Sequence, residues 1–394
     1  MDKNRGGHQA TTQKHEIELM KKKLLPFIRC SVFRVPRALA GGNADACQPR
    51  IVSIGPYHHG DTSKACWTKL NRTTKVEMIR KCYSESTDRF SGPDLVKMMD
   101  LVKMMVLDGC FIIQFLRQMA RVIQLDSSLK NSYVLASIMR DLLRLENQVP
   151  YFVLEDLFET ANIPKGTLSL ANLTFHFFSC FPEVFGNVWE RRSNLKGVHL
   201  LDSFRLSLIP WDQQDIYPLN KRSSHHLIKS ASELRRVGIG FKQREASTFL
   251  EIKFDRERRI IGIPKVTIDD DLNWILPNMV AFEQCRGQGD GHITAYAAFM
   301  GYRYLIYTVN DVQLLHDRKV ILNHGMSNKD IAHFFNDMCK DATFYVKGSY
   351  RESHFAILNE SLKYERISFG LAIVATLAGM IQIVYALLQL YHPS

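Results

Sequence analysis

The sequence contains no CxxC pair, no glycine-rich phosphate loop placed after a strand, and no apolar run near its start long enough to be a secretory signal. Its eight cysteines, Cys30, Cys47, Cys66, Cys82, Cys110, Cys180, Cys285 and Cys339, are scattered. That spacing suits neither a zinc ribbon nor the disulfide framework of a small secreted domain, so reduced and mostly buried thiols are expected. The first apolar run, Leu24 to Ile28, is short, broken by Pro26 and preceded by Lys21, Lys22 and Lys23. Without a signal peptide, the large domain is expected to stay in the cytosol. The glycines between Arg286 and Gly291 follow a predicted helix rather than a strand, which excludes both the dinucleotide and the P-loop fingerprints.

What is present is ordinary globular material. With 394 residues, 46% hydrophobic and 23% charged, the chain can bury one large core or two packed against each other. The formal charge is +11, and the first forty residues hold nine Lys or Arg against three Asp or Glu. Residues 1–30 therefore read as a basic arm, able to meet anionic headgroups at roughly 1 kcal/mol per basic residue near a membrane surface.

From Ile367 to Tyr391 there is no charged side chain. Twenty-five helical residues at about 1.5 Å each reach roughly 37 Å, more than the ~30 Å hydrocarbon core, so 367–391 is predicted to be a single transmembrane helix. Lys363 and Arg366 precede it and His392, Pro393 and Ser394 follow, which orients the large domain to the cytosolic side. Insertion as a tail anchor is implied, with the target membrane left open. Ser368, Ala372, Ala375, Gly379, Gln382, Ala386 and Gln389 recur at alternating steps of four and three, one helix face of small or amide side chains. Such a stripe is expected to pair with a copy of itself or a partner helix, while Phe369, Leu371, Ile373, Leu377, Ile381, Ile383, Leu387 and Leu388 meet membrane lipids.

Ahead of the span the pattern is mainly helical. Val134, Leu135, Ile138, Met139, Leu142 and Leu145 form one apolar stripe, with Asp141 and Arg144 outside it, and Pro150 separates it from a second helix through Phe158. Asp141, Glu146 and Glu155 are expected to be solvated or capping. Between 163 and 230 the prolines Pro164, Pro182, Pro210 and Pro218 interrupt aromatic-rich pieces, which suggests a variable insert. Phe249 to Ile263 alternates and turns near Asp255 to Arg258, predicting a short β-hairpin. DLVKMM at Asp94 to Met99 is repeated at Asp100 to Met105. Six residues rotate a helix by about 240°, so one copy is expected to be extruded or strained.

Several strings taken together resemble the plant family catalogued as domain of unknown function 247. They are PRIVSIGPYHHG (Pro49 to Gly60), VLDGCFIIQFLR (Val106 to Arg117), DLLRLENQVPYFVLEDLF (Asp141 to Phe158), SASELRRVGIGFK (Ser230 to Lys242), AFEQC (Ala281 to Cys285) and DVQLLHDRKVILNHG. The resemblance runs in order from about Ser31. It implies a mainly helical plant protein with a C-terminal membrane segment, with some grass members linked to self-incompatibility, and it carries over no catalytic or cofactor residue. The sequence departs from the pattern in the DLVKMM duplication, a short middle insert, and a stretch from Tyr350 to Lys363 without the usual aromatic run.

Candidate chemistry is sparse. His58 and His59 are adjacent, whereas paired metal ligands need i,i+2 on a strand or i,i+4 on a helix, so a structural hydrogen-bonding role is expected and no metal. Glu283, Cys285 and His292 surround the glycine-rich run, and a cysteine nucleophile with a nearby histidine base could be drawn from them, a hydrolase alternative resting on Cys285 and His292. Arg235, Arg236, Lys242, Arg244, Arg256, Arg258 and Arg259 cluster, but Glu233, Glu245, Glu251, Asp255 and Glu257 lie among them, which argues against a nucleic-acid platform. The expectation is a mainly α chain: basic arm 1–30, helical domain 31–350 with a minor β-hairpin, juxtamembrane linker 351–366, and the membrane helix. It is read as an interaction or recognition protein with an unidentified protein partner, no cofactor and no enzymatic activity.

Overall fold

The computed structural model describes residues 32–35, 48–55, 95–124, 131–161, 168–181, 196–210, 230–286, 291–301, 305–338 and 375–383. The opening helices are α1 (Leu95–Met119), α2 (Ser132–Asp141), α3 (Tyr151–Thr160), α4 (Leu170–Phe178), α5 (Leu200–Leu208) and α6 (Ala231–Arg236). Strands β1 (Gly240–Arg244), β2 (Lys253–Asp255), β3 (Ile260–Pro264) and β4 (Val266–Ile268) follow, then α7 (Asp270–Arg286), α8 (His292–Met300), α9 (Val309–Asp317), β5 (Ile321–Asn323) and α10 (Asn328–Met338). The fold is helical with a minor sheet component.

Helix α1 packs against α3 and α4. It runs unbroken from Leu95, in the first DLVKMM copy, through the whole of the second, and Leu101, Val102, Met104 and Met105 of the second copy are buried. The duplication is therefore absorbed as helix rather than extruded. Where α1 crosses α3 the contact is close: a Cβ at Gly109 would stand 2.3 Å from Leu157 Cδ1, so a larger residue there would require the Leu157 side chain to shift.

Residues 163–230, read as an insert, supply two core helices. Phe177, Phe178 and Phe181 at the end of α4 meet Phe115 of α1, Phe204 of α5 and Trp274 of α7 at ring separations of 5.0 to 6.4 Å, mostly edge to face. Such aromatic pairs contribute about 0.5–1.5 kcal/mol each beyond their burial. They tie the first half of the chain to the second.

Helix α7 packs on α8, β4 and α5. Pro277 interrupts its bonding because it has no N–H. The next residue, fully buried Asn278, donates its side-chain amide to the Trp274 carbonyl and accepts from the backbone N–H of Leu145, so the break becomes a junction with the turn after α2.

The segment from Phe249 to Ile263 holds an antiparallel β2–β3 pair, and β1 adds to β3 in parallel to give the order β1-β3-β2. The turn ends at Arg259 with φ 55°, and its guanidinium donates to the Val237 carbonyl. A separate parallel pair joins β4 to β5.

The transmembrane helix expected at 367–391 is not supported. No helix among the described residues is long and apolar enough to cross a membrane. The longest, α1, carries Lys97, Asp100, Lys103, Asp108 and Arg117. Within the expected span the described helical stretch is 375–383, about 13 Å of rise against a core of ~30 Å. The C-terminal single-pass anchor is withdrawn with it, as are the orientation and cytosolic placement deduced from that anchor. The basic arm 1–30 and the linker 351–366 lie outside the described residues.

Candidate functional site

Three clusters of charged and polar side chains organise the interior, and each serves backbone groups. The first begins at Asp141, fully buried at the end of α2. Its Oδ1 accepts from the backbone N–H of Arg50 (2.9 Å) and from Arg144 Nε (3.1 Å), and its Oδ2 accepts from Ile51 (2.7 Å) and Val52 (2.9 Å). Asn147 donates to the carbonyls of Val52 and Asp141 and accepts from Ile54, while Glu146 accepts from Val35 and Asp108 from Gly55. The strings around Ile51 and around Glu146 are thus two halves of one clamp, with the extended 50–55 segment bonded to side chains along its length. Asp141 and Glu146, expected at the surface or on helix caps, take up N–H groups of a distant segment instead. Glu155 pairs with Lys196 at 2.5 Å. Asp108 is pushed up from 3.8 to about 6, first by burial, with the Gly55 bond pulling it down.

The second cluster joins α5 to α7 and α8. Arg205, buried, reaches Asp202 at 2.9 Å and Glu283 at 3.1 Å. Glu283 also accepts from the backbone N–H of Ile293 (3.2 Å) and from the N–H and hydroxyl of Thr294 (2.7 and 2.8 Å), satisfying the open N-terminus of α8 from a neighbouring helix. Burial pushes the Glu283 carboxyl up, against the pull of Arg205 and the Thr294 bonds. Burial acts the same way on Asp202, but Arg205, His199, the Val198 N–H and Arg286 hold it below its ordinary value.

The third cluster fixes the entry to the sheet. Asp311 accepts from the N–H groups of Ser232, Tyr307 and Thr308 and from the Thr308 hydroxyl. Burial would raise its carboxyl, and these bonds from Ser232 and Thr308 hold it down instead. Helix α6 opens with a capping box between Ser230 and Glu233. It closes with Gly238 at φ 80°, the Ile239 N–H donating to Leu234 and the Gly238 N–H to Arg235. The string from Ser230 to Lys242 is therefore a capped turn of helix that delivers β1 at a set angle.

The other expected site residues are dispersed. Cys285, partly buried, packs against the apolar core, and Glu283 beside it is bonded to Arg205 and α8. Residues 287–290, and also His58 and His59, lie outside the described residues. Among the described residues no group of three or more His, Cys, Asp or Glu could hold a metal ion. Of the described cysteines, Cys110 is exposed, and Cys180 and Cys285 are only partly buried. Of the small-residue stripe, Ala375, Gly379 and Gln382 fall in the described helical stretch, and a Cβ at Gly379 would meet nothing within 4 Å. Ser368, Ala372, Ala386 and Gln389 lie outside it. Leu377, Met380, Ile381 and Ile383 on the same stretch are exposed.

The sheet surface was legible only in part from sequence. On the outer face Lys242 and Lys253 both stand opposite Gly262 in the register, and the Arg244 side chain lies over that glycine. Both are exposed, as are Arg235, Arg236, Arg256 and Arg258. The acids interleaved with these bases act locally: Glu251 accepts from the N–H groups of Ser247 and Thr248 and lies near Arg244, and Asp255 accepts from the Arg258 N–H.

Comparison with known proteins places residues 32–377 on the model of a plant protein family of unknown function, DUF247. A UPF0481 protein of Arabidopsis thaliana is 33% identical over 383 residues, covering 85% of this chain and 77% of the relative. A second UPF0481 protein of the same plant is 21% identical, covering 79% of this chain and 78% of its own length. No solved structure matches the chain.

Proposed function

The chain belongs to the DUF247 family of plant proteins of unknown function, and from that premise we propose that it is a recognition protein, engaging a protein partner through its surface rather than catalysing a reaction. The observation that carries this reading is where the buried acids are committed. Asp141 and Asp311 accept mostly from backbone N–H groups, and Glu283 accepts from two backbone N–H groups as well as from Thr294 and Arg205 side chains, which is how carboxylates hold a fold. A general base needs a carboxylate or imidazole with a lone pair turned to a cleft. By contrast, Lys242 and Lys253 are exposed on one sheet face with no ion-pair partner among the described residues, which leaves them available for contact with another macromolecule. The biological setting that fits is cell recognition or signalling, the sphere to which the resemblance to some grass proteins points.

The reading is tested by proximity labelling from the full chain in its native tissue, comparing wild type with Cys285→Ser and His292→Ala. A reproducible set of partner proteins, the same for all three, is the expected result. Absence of any reproducible set, together with hydrolysis of an ester or amide panel that Cys285→Ser abolishes, would establish the hydrolase alternative instead.

A further inference from the structure

We propose that the edge of β1 turned away from β3 receives an extended acidic segment of the protein partner by strand addition, with Lys242 as its charge partner and Lys253 adding to the basic field of the same face. This rests on the recognition reading above and names the surface and the chemistry of what it binds.

The backbone sets the geometry. β1 ends the three-stranded sheet, with Gly240 to Arg244 parallel to Ile260 to Pro264, and the Gly240 N–H donates to the Arg259 carbonyl at 2.8 Å. In a parallel ladder alternate residues face the neighbour. Gly240, Lys242 and Arg244 therefore bond to β3, and the N–H and C=O groups of Phe241 and Gln243 point away from it. Among the described residues none of these four groups has a hydrogen-bond partner. Such an edge is a template for another extended strand. The other edge strand, β2, is only three residues long.

Charge selects the occupant. Lys242 and Lys253 have no ion-pair partner among the described residues; the strands that carry them flank β3 roughly 10 Å apart, with the Arg244 side chain over Gly262 between them, and Lys242 is the one on the strand that an added segment would pair with. A second copy of this chain would set one basic edge against another, and like charges directly opposite on paired strands repel. The outer-face positions Gly240, Lys242, Arg244, Ile260, Gly262, Lys253 and Asp255 hold no aromatic on which bases could stack, which disfavours single-stranded nucleic acid. An extended peptide with carboxylates at every second position satisfies both needs: its backbone bonds to Phe241 and Gln243, and its acidic face lies beside Lys242.

The test uses the purified full-length chain and three labelled, end-blocked peptides followed by fluorescence anisotropy: alternating valine and glutamate, alternating valine and lysine, and the valine–glutamate peptide N-methylated at every second amide. The valine–glutamate peptide is expected to bind. Methylation, and separately the double reversal Lys242→Glu with Lys253→Glu, should each weaken it about tenfold or more. Gln243→Pro should do the same, because it removes only an N–H that points away from β3 and keeps the ladder intact, which far-UV circular dichroism checks. If that variant fails to fold, the methylated peptide carries the same test. Binding that survives methylation, equal binding of the lysine peptide, or no binding of any peptide overturns strand addition. A partner set captured from tissue would still stand in those cases, so this inference can fail without the recognition reading.

Discussion

At the junction of α2 with the 50–55 segment, one fully buried carboxylate, Asp141, takes three backbone N–H groups and an arginine. On the outer face of the three-stranded sheet, Lys242 and Lys253 stand exposed with no partner among the described residues. Both regions carry strings by which the family is identified, yet charge works in opposite ways in them. The interior acid is fully bonded within the chain, so changing it changes the fold. The surface bases are bonded to nothing within the described chain, so changing them leaves the fold alone and alters what the fold can meet.

The contrast is sharpest when Asp141 is removed. Asp141→Ala breaks the buried ion pair with Arg144 and takes the acceptor from three part-buried N–H groups, and an expected loss of about 3–5 kcal/mol should appear as a collapse of the urea midpoint. An unchanged midpoint would remove the interior half of the comparison.

Asp311→Ala should cost less, about 2–3 kcal/mol, because its carboxylate serves exposed-side turns around Ser232 and Thr308 as well as buried ones. The variant should also loosen the entry to β1, seen as faster amide exchange at Ile239 to Arg244.

Asp108 supplies a pH test. Its carboxyl titrates at about 6 in the fold against 3.8 free. Between those values the folded chain keeps a proton that the unfolded chain has released, so this contribution to stability is greatest at low pH and falls as pH rises from about 4 through about 6. Asp108→Asn keeps an acceptor for the Gly55 N–H without the charge. It should remove that slope and gain on the order of 1 kcal/mol at neutral pH, allowing for solvent screening of a half-buried group. A variant with the slope intact would assign it to another residue.

Helices α2 and α3 were readable because their apolar residues recur at helical spacing, and the hairpin because Ile252 and Phe254 alternate with charged neighbours. Helices α4 and α5 were not. LANLTFHFF is buried on nearly every side and so shows no amphipathic stripe. In LLDSFRLSL the inward positions include Asp202, Ser203, Arg205 and Ser207, whose partners make burial tolerable but disguise it in sequence. The partners of Asp141 lie some ninety residues away, beyond any local spacing rule. The C-terminal run shows the converse: twenty-five uncharged residues report composition, and helix length is a separate fact.

The most direct measurement is the double charge reversal Lys242→Glu with Lys253→Glu, scored together for urea midpoint and for partner capture in tissue. The account predicts a stability change within about 0.5 kcal/mol, as at any exposed site, and a roughly tenfold fall in captured partner. A partner signal unchanged at an unchanged midpoint would contradict it.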